Sequence, residues 1–460
     1  MDILTLLAEI TGKKHVLTGA DTNRYAHDTT GKYQADPLAV VRPADTEQVC
    51  AIVKLANKTK IPIVPVSGNT GLVGGTYADG AILLSLERLN KVHDIRPDAR
   101  IAIVDAGCIV AALQDAAEAD DLIFPLLFGA RGSSMIGGAL STNADGSNVL
   151  RYGNTRALCL GLEVVTPTGE VMNLMSELHK DNSGYDLKDL FIGAEGTLGI
   201  ITKAVLKLFP KPNSYATAMV AMPTLKDALI LLNRLQSESA GAVEAFEYMP
   251  GSYMRQFKAH FPDARLPFEQ SYDVNILVEL ATTSPSMSVS EILENTLGEM
   301  MQDGQVLDAV IAQNNSQRAE IWQRRESSAE VVFAISPRVD SDICVAIDKV
   351  PEFLELIAPR IHALDPQAHT SCVAHLGDGN LHFSVYPVHE DKQLAGQFIE
   401  AIEDVVKTLG GSFSAEHGVG LSKRASMARR KDPVALATMR QIKTALDPNN
   451  IMNPGKVLPD

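Results

Sequence analysis

The alternation of apolar and polar positions indicates mixed strands and helices, with a change of texture near residue 210. Before that point, short apolar runs predict strands over 61–66, 81–86, 102–104, 160–165 and, as one long strand or a strand pair, 196–208. A helix ahead of the first strand is predicted to begin at Asp45, because Gln48 follows at capping-box spacing. It would carry Val49, Ile52, Val53 and Leu55.

After residue 210 glycines become rarer and longer amphipathic patterns appear. They predict helices over 225–235, 289–301, 351–364 and 392–409, with strands over 274–280 and 343–347. The proline-bearing segment 209–213 is the best domain boundary. The strand spacing is mostly of the antiparallel kind, so the predicted fold class is α+β.

Composition and charge make several classes of function improbable for this protein. The 460 residues are 45% hydrophobic and 21% charged, which is typical of a globular protein with an ample core. A net charge of −15 repels phosphate backbones and makes nucleic acid a poor partner. Five scattered cysteines argue against a disulfide framework and a thiolate metal site, and favour a reducing, cytoplasm-like compartment.

Neither a signal peptide nor a membrane span is predicted. The N-terminus has the pattern of a helix with Leu4, Leu7 and Ile10 on one face, and Asp2 stands where a signal peptide would be basic. The longest uncharged run, 61–78, is interrupted by prolines and glycines.

Glycine is concentrated in three loops, 66–75, 129–146 and 193–199. Any one of them alone is explained as a turn. In the first loop, however, Gly68, Gly71, Gly74 and Gly75 let successive backbone N–H groups converge on an anion. Neither a Rossmann nor a P-loop glycine pattern is present, which disfavours an NAD enzyme and a P-loop NTPase.

A second concentration of chemistry lies in segment 372–383. Asp378-Gly379 is typical of a two-residue hairpin turn, which would pair His375 directly with His382. Directly paired residues have Cβ atoms about 5 Å apart on one face, so both imidazoles could hold one metal. Ser384 would lie beside His382 on that face. The alternative is a core hairpin with two polar histidines.

Two further segments supply groups that suit such a site. Glu416 could add a carboxylate ligand and His417 a base, and two histidines plus a carboxylate suit zinc or another divalent ion. Arg325, in Trp322-Gln-Arg-Arg-Glu326, could hold a substrate carboxylate bidentately. Considered alone, that segment is better explained as a solvated charge run on a helix.

Together these motifs resemble a known family. PVSGNTGLVGG (65–75), GARGSSMIGGALSTNADG (129–146), GAEGTLGII (193–201), HLGDGNLH (375–382), SAEHGVG (414–420) and NPGKVLP (453–459) resemble the flavoenzymes of the vanillyl-alcohol-oxidase/para-cresol-methylhydroxylase (PCMH) type. The branch is that of the D-lactate, D-2-hydroxyglutarate and glycolate dehydrogenases. The resemblance covers nearly the whole chain, from about residue 33 to 459.

The resemblance implies an FAD-binding domain of two α+β subdomains over 1–210, with FAD between them. A substrate or cap domain with an antiparallel sheet would follow over 211–410, and 411–460 would return to the FAD domain. The loop 64–77 contains no His or Cys that could attach FAD covalently, so non-covalent FAD is predicted. The implied FAD contacts are Val66, Ser67, Gly68, Asn69, Thr70, Gly71, Gly74, Gly129, Ser133, Ser134, Gly138, Asn143, Gly146, Glu195, Gly199, Ile200, Ile201 and Asn453.

The resemblance also implies a mechanism. A 2-hydroxy acid would place its carboxylate on Arg325, with Ser384 nearby, and chelate a divalent metal, most simply zinc, held by His375, His382 and Glu416. His417 would take the hydroxyl proton, and the α-hydrogen would pass as hydride to the flavin, giving a 2-oxo acid. An electron-transfer flavoprotein, a quinone or a cytochrome is compatible as electron acceptor, and so is a homodimer.

Three departures bear on the substrate. Asp340 stands where D-2-hydroxyglutarate enzymes carry a lysine for the distal carboxylate, Ala329 where they carry threonine, and Ser384 where they carry asparagine. An anionic Asp340 would repel a dianionic substrate unless another cation intervenes. A D-lactate-like monocarboxylic acid is therefore predicted, with D-2-hydroxyglutarate as the second choice.

Two alternative functions, from other classes of protein, compete with the dehydrogenase. A metal-dependent hydrolase would use the histidine site but leave the glycine loops without a role. A nucleotide-binding regulatory protein without catalysis would leave Glu416, His417 and both hairpin histidines without a role.

Overall fold

The computed structural model describes residues 2–460, which fall into two compact units. Unit 1 comprises the chain up to Gly146, Gly153–Lys211 and Glu416–Asp460. Unit 2 comprises Ser147–Tyr152 and Pro212–Ala415. Nothing in the sequence indicated that the short segment Ser147–Tyr152 belongs to the second unit.

The α-helices, in chain order, are α1 (Ile3–Thr11), α2 (Asn23–Ala26), α3 (Thr46–Thr59), α4 (Val110–Glu118), α5 (Ile136–Thr142), α6 (Val149–Tyr152), α7 (Thr155–Leu158), α8 (Lys188–Phe191), α9 (Leu225–Glu238), α10 (Gly251–His260), α11 (Val289–Gln302), α12 (Asn315–Glu326), α13 (Ser328–Phe333), α14 (Val350–Leu364), α15 (Lys392–Thr408), α16 (Arg424–Arg430) and α17 (Pro433–Leu446). Short 3₁₀ turns occupy Lys13–His15, Gly19–Thr22 and Ile347–Lys349.

The strands are β1 (Val16–Leu17), β2 (Ala39–Val41), β3 (Ile63–Val66), β4 (Ile82–Ser85), β5 (Val92–Arg96), β6 (Ile101–Asp105), β7 (Leu122–Ile123), β8 (Cys159–Val165), β9 (Val171–Leu174), β10 (Ile200–Lys207), β11 (Phe209–Pro210), β12 (Ser214–Met222), β13 (Val243–Pro250), β14 (Val274–Thr282), β15 (Asp308–Ile311), β16 (Val339–Cys344), β17 (His369–His375) and β18 (Asn380–Tyr386).

Unit 1 is built around two sheets. The first has the order β1-β2-β4-β3, with β4 parallel to both β2 and β3. The second is antiparallel, with the order β5-β6-β10-β8-β9. The segment predicted as a long strand or a strand pair over 196–208 is a loop followed by the single strand β10.

Helix α3 shows why the local sequence signals succeed in this unit. The Asp45 side chain accepts a hydrogen bond from the Gln48 N–H at 2.8 Å, so the predicted cap is confirmed. Val49, Ile52 and Val53 are fully buried on one face of the helix. Burying such a face stabilises a helix that would be marginal in isolation.

Unit 2 contains one seven-stranded antiparallel sheet, ordered β15-β12-β14-β13-β17-β18-β16. Alternate residues of each strand face opposite sides. One side, with Phe246, Val278 and Phe383, packs on the apolar faces of α9, α11, α14 and α15. The other side contacts α10, α12 and α13 through a smaller apolar cluster that includes Tyr253 and Leu277.

One predicted strand of unit 2 was misplaced. The sequence predicts a strand over 343–347, whereas β16 is Val339–Cys344 and Ile347–Lys349 turns into α14. Asp340 and Asp342 precede the apolar run that the prediction relied on, yet both lie within the strand, in register with Ser384 and His382.

Among residues 2–460, no helix has both the length and the apolar character needed to cross a membrane.

Candidate active site

Two of the glycine loops of unit 1 lie directly against each other. A Cβ atom on Gly68 would stand 2.2 Å from the Ser133 carbonyl oxygen, so only glycine fits at that position. Nearby, the Thr70 and Ser134 hydroxyls hydrogen-bond at 2.8 Å, and a Cβ on Gly138 would lie 3.2 Å from that of Ser67. The structure therefore brings together the first two groups of predicted FAD contacts.

The first loop presents a run of unused donors. Within residues 2–460, no backbone N–H from Gly68 to Thr76 donates a hydrogen bond. Asn69 holds the loop open instead: its Nδ2 donates to the His27 carbonyl at 2.8 Å and its Oδ1 accepts from the Thr76 hydroxyl at 2.7 Å. A curled run of free N–H groups fits an anionic diphosphate, as FAD would supply.

The third loop and the C-terminal segment meet at Asn453. Its Nδ2 donates to the carbonyls of Gly75 and Glu195 at 3.0 and 2.7 Å, and its backbone N–H donates to Ile63. Its Oδ1 is buried and has no hydrogen-bond partner among the described residues, so it is an acceptor open to a donor on a bound ligand.

Glu195, predicted as an FAD contact, has a second use that the sequence did not indicate. Its carboxylate accepts hydrogen bonds from the backbone N–H groups of Val419 and Gly420 at 2.7 and 2.8 Å. Burial raises the pKa of the Glu195 carboxyl, while these two donors and the charges of Lys423 and Lys456 act in the opposite direction.

Several other predicted FAD residues have clear packing roles. A Cβ on Gly146 would lie 2.0 Å from the Leu127 oxygen, and one on Gly199 would lie 2.9 Å from Val164. Ile200 and Ile201 are buried in β10, and Asn143 ends α5 with φ 51°. Their contact with FAD stays a prediction.

The polar groups of unit 2 share one face of its sheet. Glu247 on β13 is in register with His375 on β17, and His382 on β18 is in register with Asp342 on β16. A row of ionisable side chains therefore crosses four adjacent strands, on the face that contacts α12.

The histidine hairpin differs from its predicted register. His375 pairs with Asn380 rather than with His382, and the turn has four residues, 376–379, rather than two. Because the slip is two residues, both histidines keep the same face, and their rings lie 5.3 Å apart between centroids. The predicted proximity of the imidazoles is confirmed, although the predicted pairing was wrong.

A buried ion cluster holds Arg325 and His375. Arg325 Nε donates to the Glu247 carboxylate at 2.6 Å, and His375 Nδ1 lies 2.8 Å from the other oxygen of that carboxylate. Arg325 Nη1 donates to the Ser328 hydroxyl at 3.0 Å, and Nη2 lies 3.1 Å from His375 Nε2. The interpretation of 322–326 as a solvated charge run was wrong, since Arg324 and Arg325 are both buried.

Electrostatics favour the ionised form of the Glu247 carboxyl. Burial raises the pKa of the Glu247 carboxyl, but the charges and hydrogen bonds of His375 and Arg325 outweigh that effect and leave the pKa below its usual value. A carboxylate on the far nitrogen of a histidine orients the ring and makes the other nitrogen a better metal ligand. Glu247 therefore fixes the orientation of the His375 ring.

Helix α12 is attached to the sheet at a second carboxylate. Arg318 donates two hydrogen bonds to Glu279, both at 2.6 Å, and Trp322 Nε1 donates a third at 2.8 Å. Arg318, Trp322 and Arg325 recur at helical spacing along one face. Glu247 and Glu279 were missed from the sequence, although each is a charged residue among the apolar residues of a strand, which signals a buried partner.

Asp342 adds a carboxylate beside the predicted metal ligand His382 in unit 2, since the two residues are paired across β16 and β18. Ala415, which donates to the Asp342 carbonyl at 3.3 Å, is followed directly in the chain by Glu416 and His417. Imidazole nitrogens and carboxylate oxygens are donors that suit zinc and related divalent ions. The residues present thus fit a metal, while the exact set of ligands stays a prediction.

Ser384 and Asp340 lie one step along the sheet from His382 and Asp342. The Ser384 hydroxyl donates to Asp340 Oδ1 at 2.9 Å, and Arg338 Nε donates to Asp340 Oδ2 at 2.8 Å. The charge of Asp340 is therefore balanced by a cation that sequence reasoning did not identify.

Comparison with known proteins identifies the class. The fold is that of the PCMH-type flavoproteins: a solved structure of p-cresol methylhydroxylase with bound substrate superimposes with a TM-score of 0.76, at 17% identity, over 99% of this chain and 96% of that one. A model for an FAD binding domain matches residues 37–175, and a model for the C-terminal domain of FAD linked oxidases matches 211–457.

Relatives with higher sequence identity belong to one branch of this class, the D-2-hydroxyglutarate dehydrogenases. The D-2-hydroxyglutarate dehydrogenase of Xanthomonas citri pv. viticola is 35% identical over 99% of this chain and 96% of its own. The mitochondrial D-2-hydroxyglutarate dehydrogenase of Bos taurus is 35% identical over 91% of this chain and 76% of its own. The chain belongs to the FAD-linked oxidase family that includes these dehydrogenases, and FAD is its cofactor. The cytoplasm-like compartment stays a prediction.

The contact between the first two glycine loops can be tested in the FAD-free protein. We expect Gly68→Ala to lower the thermal unfolding midpoint by several degrees, because its Cβ would overlap the Ser133 oxygen. Gly71→Ala is the matched control, since a Cβ there meets no atom within 4 Å. Equal midpoints for the two variants would contradict the close approach.

Proposed function

We propose that this protein oxidises a D-2-hydroxy acid to the 2-oxo acid, with FAD as the immediate electron acceptor. The observation that carries the proposal is the buried Glu247–Arg325–His375 cluster beside His382 and Asp342, in a chain of the FAD-linked oxidase family. The Arg325 cation, whose Nη groups can donate hydrogen bonds to a substrate, lies beside a set of metal-binding groups. This arrangement suits a substrate in which a carboxylate is adjacent to a hydroxyl.

Arg325 would orient the substrate carboxylate. Its Nε is occupied by Glu247, which fixes the plane of the guanidinium. Its two Nη groups contact only the neutral partner Ser328 and the His375 ring. A substrate carboxylate offers both Nη groups charged acceptors, and such bidentate pairs are stronger and more directional than neutral hydrogen bonds.

The histidines and carboxylates would hold the reacting hydroxyl. We assign the metal ligands to His375, His382 and Glu416, the set that the family resemblance implies, with Asp342, which is paired with His382, as a further carboxylate. His375 would have to exchange its 3.1 Å contact between Nε2 and Arg325 Nη2 for the metal. A divalent metal bound there, zinc being the first choice, would act as a Lewis acid that lowers the pKa of the hydroxyl. His417 would then accept the hydroxyl proton, and FAD would accept the α-hydrogen as hydride.

The preferred substrate is a small monocarboxylic acid of the D-lactate type, because Asp340 occupies the position next to Ser384. A second candidate is D-2-hydroxyglutarate. It is favoured by the relatives and by Arg338, which pairs with Asp340 and removes the repulsion that a second carboxylate would otherwise meet.

A substrate panel tests the proposal. We expect anaerobic bleaching of the bound flavin by D-lactate or a neutral-tailed homologue, and slower bleaching after chelation although FAD is retained. Bleaching by D-2-hydroxyglutarate alone would select the second candidate. A purified protein without flavin would instead point to the metal-dependent hydrolase.

The base is tested by His417→Ala. The variant should retain flavin and reduce it roughly 10²-fold more slowly than the wild type in stopped-flow experiments, as expected for loss of a general base. His179→Ala, in an exposed segment of unit 1, is the control. An unchanged reduction rate would show that His417 is not the base.

The charge at residue 340 is tested by Asp340→Lys. The ratio of kcat/KM for D-2-hydroxyglutarate to that for D-lactate should rise at least tenfold, which corresponds to about 1.4 kcal/mol of transition-state stabilisation. Asp303→Lys makes the same charge change on the exposed turn after α11. If both variants keep the wild-type ratio, Asp340 does not face the substrate.

A further inference from the structure

Glu195 is held in an unusual backbone position within unit 1. It has φ 52°, a region that residues other than glycine rarely adopt, and it lies near two glycines with positive φ, Gly193 and Gly196. Its N–H donates to the Ser141 carbonyl at 2.7 Å, and a Cβ on Gly196 would stand 2.4 Å from the Pro65 ring. The loop is therefore fixed against β3, the strand that leads into the first glycine loop.

The side chain is directed at the segment that follows Glu416 and His417. Its two oxygens accept one hydrogen bond each from Val419 and Gly420. A Cβ on Gly418 would lie 2.7 Å from Glu195 Oε1, so the segment approaches the carboxylate as closely as its backbone allows. Charge-assisted hydrogen bonds of this kind are short and strong.

The same segment is tied to the first glycine loop. The Val73 carbonyl accepts hydrogen bonds from the N–H groups of Leu421 and Ser422 at 2.8 and 3.1 Å. A Cβ on Gly420 would lie 2.3 Å from that carbonyl oxygen. Asn453 completes the frame, because it donates to both Gly75 and Glu195.

We propose that Glu195 is a positioning residue that fixes the segment carrying Glu416 and His417 and couples it to the loop that binds FAD. The inference rests on the proposed function, since it takes Glu416 as a metal ligand and His417 as the base. FAD on the first loop would order Val73, whose carbonyl holds the segment on one side while the Glu195 carboxylate holds it on the other.

The coupling has a thermodynamic consequence. If FAD and the metal both favour the ordered segment, each increases the affinity of the other by the same factor. Couplings of this type are typically about 5- to 150-fold. A residue that contacted FAD alone would change FAD affinity and leave metal affinity unaltered.

The test compares zinc binding by the FAD-loaded wild type and by Glu195→Gln. The amide keeps one acceptor and turns an NH₂ group towards a backbone N–H, so one of the two hydrogen bonds is replaced by a repulsive contact. We expect FAD to be retained, the zinc Kd to rise at least tenfold, and flavin reduction by the hydroxy acid to slow with kcat more affected than KM. Glu170→Gln, in an exposed turn of unit 1, should match the wild type.

A second measurement needs no variant. In wild-type protein cleared of metal by chelation, added zinc should lower the Kd for FAD at least fivefold, measured by recovery of flavin fluorescence on release. FAD affinity independent of zinc would overturn the coupling even if Glu195→Gln failed to fold. Loss of FAD with unchanged zinc affinity in Glu195→Gln would make Glu195 an FAD contact and overturn the inference.

These outcomes are distinct from failure of the proposed function. Wild-type protein that binds zinc in linkage with FAD, yet is bleached by no 2-hydroxy acid, would contradict the proposed function and leave the coupling intact. Rapid bleaching without any zinc binding would support the oxidation and overturn both the metal role and the coupling.

Discussion

A buried carboxylate in the seven-stranded sheet constrains the architecture of unit 2. Glu247 is almost wholly excluded from solvent, and a buried charge without partners costs several kcal/mol. Arg325 and His375 supply the partners for this charge. Through their contacts with Glu247 they fix the positions of helix α12 and strand β17. Removing either partner would leave one oxygen of the carboxylate without its hydrogen bond, so the positions of the groups proposed to bind substrate and metal follow from the need to neutralise Glu247.

Unit 1 depends on a different constraint, the close approach of backbones. Gly68 against Ser133 and Gly420 against Val73 leave no room for a side chain, and Asn453 joins two of the loops through its amide. Within the described chain, the N–H groups of the first loop have no hydrogen-bond partner, so they can bind an anion together. The glycines that suggested an anion site therefore have two roles, since some allow loops to touch and others leave space beside the backbone, as at Gly71.

Where the sequence-based predictions failed, the reasons are specific. The hairpin register shifted by two residues, because the Asp378 and Gly379 N–H groups both bond to the His375 carbonyl and the turn takes in Leu376 and Gly377. The position of strand β16 was predicted wrongly because aspartates are typical of loops. Their partners on the neighbouring strand, His382 and Ser384, are known only from the structure. The charged run 322–326 was misjudged because the carboxylates that pair with it, Glu279 and Glu247, lie on strands 43 and 78 residues earlier in the chain.

Local pattern was sufficient to determine the α+β class, the cap of α3, the four helices α9, α11, α14 and α15 of unit 2 and the motifs that mark an FAD-linked oxidase. Such features depend on neighbouring residues, on periodicity or on short motifs, all of which are visible in one dimension. Only the tertiary structure decided that Glu247 orients Arg325 and His375, that Arg338 balances Asp340, and that Glu195 holds the segment after His417. Each of these is a contact between charges or donors that the fold brings together, and the burial that gives it strength does not exist until the sheet and loops have formed.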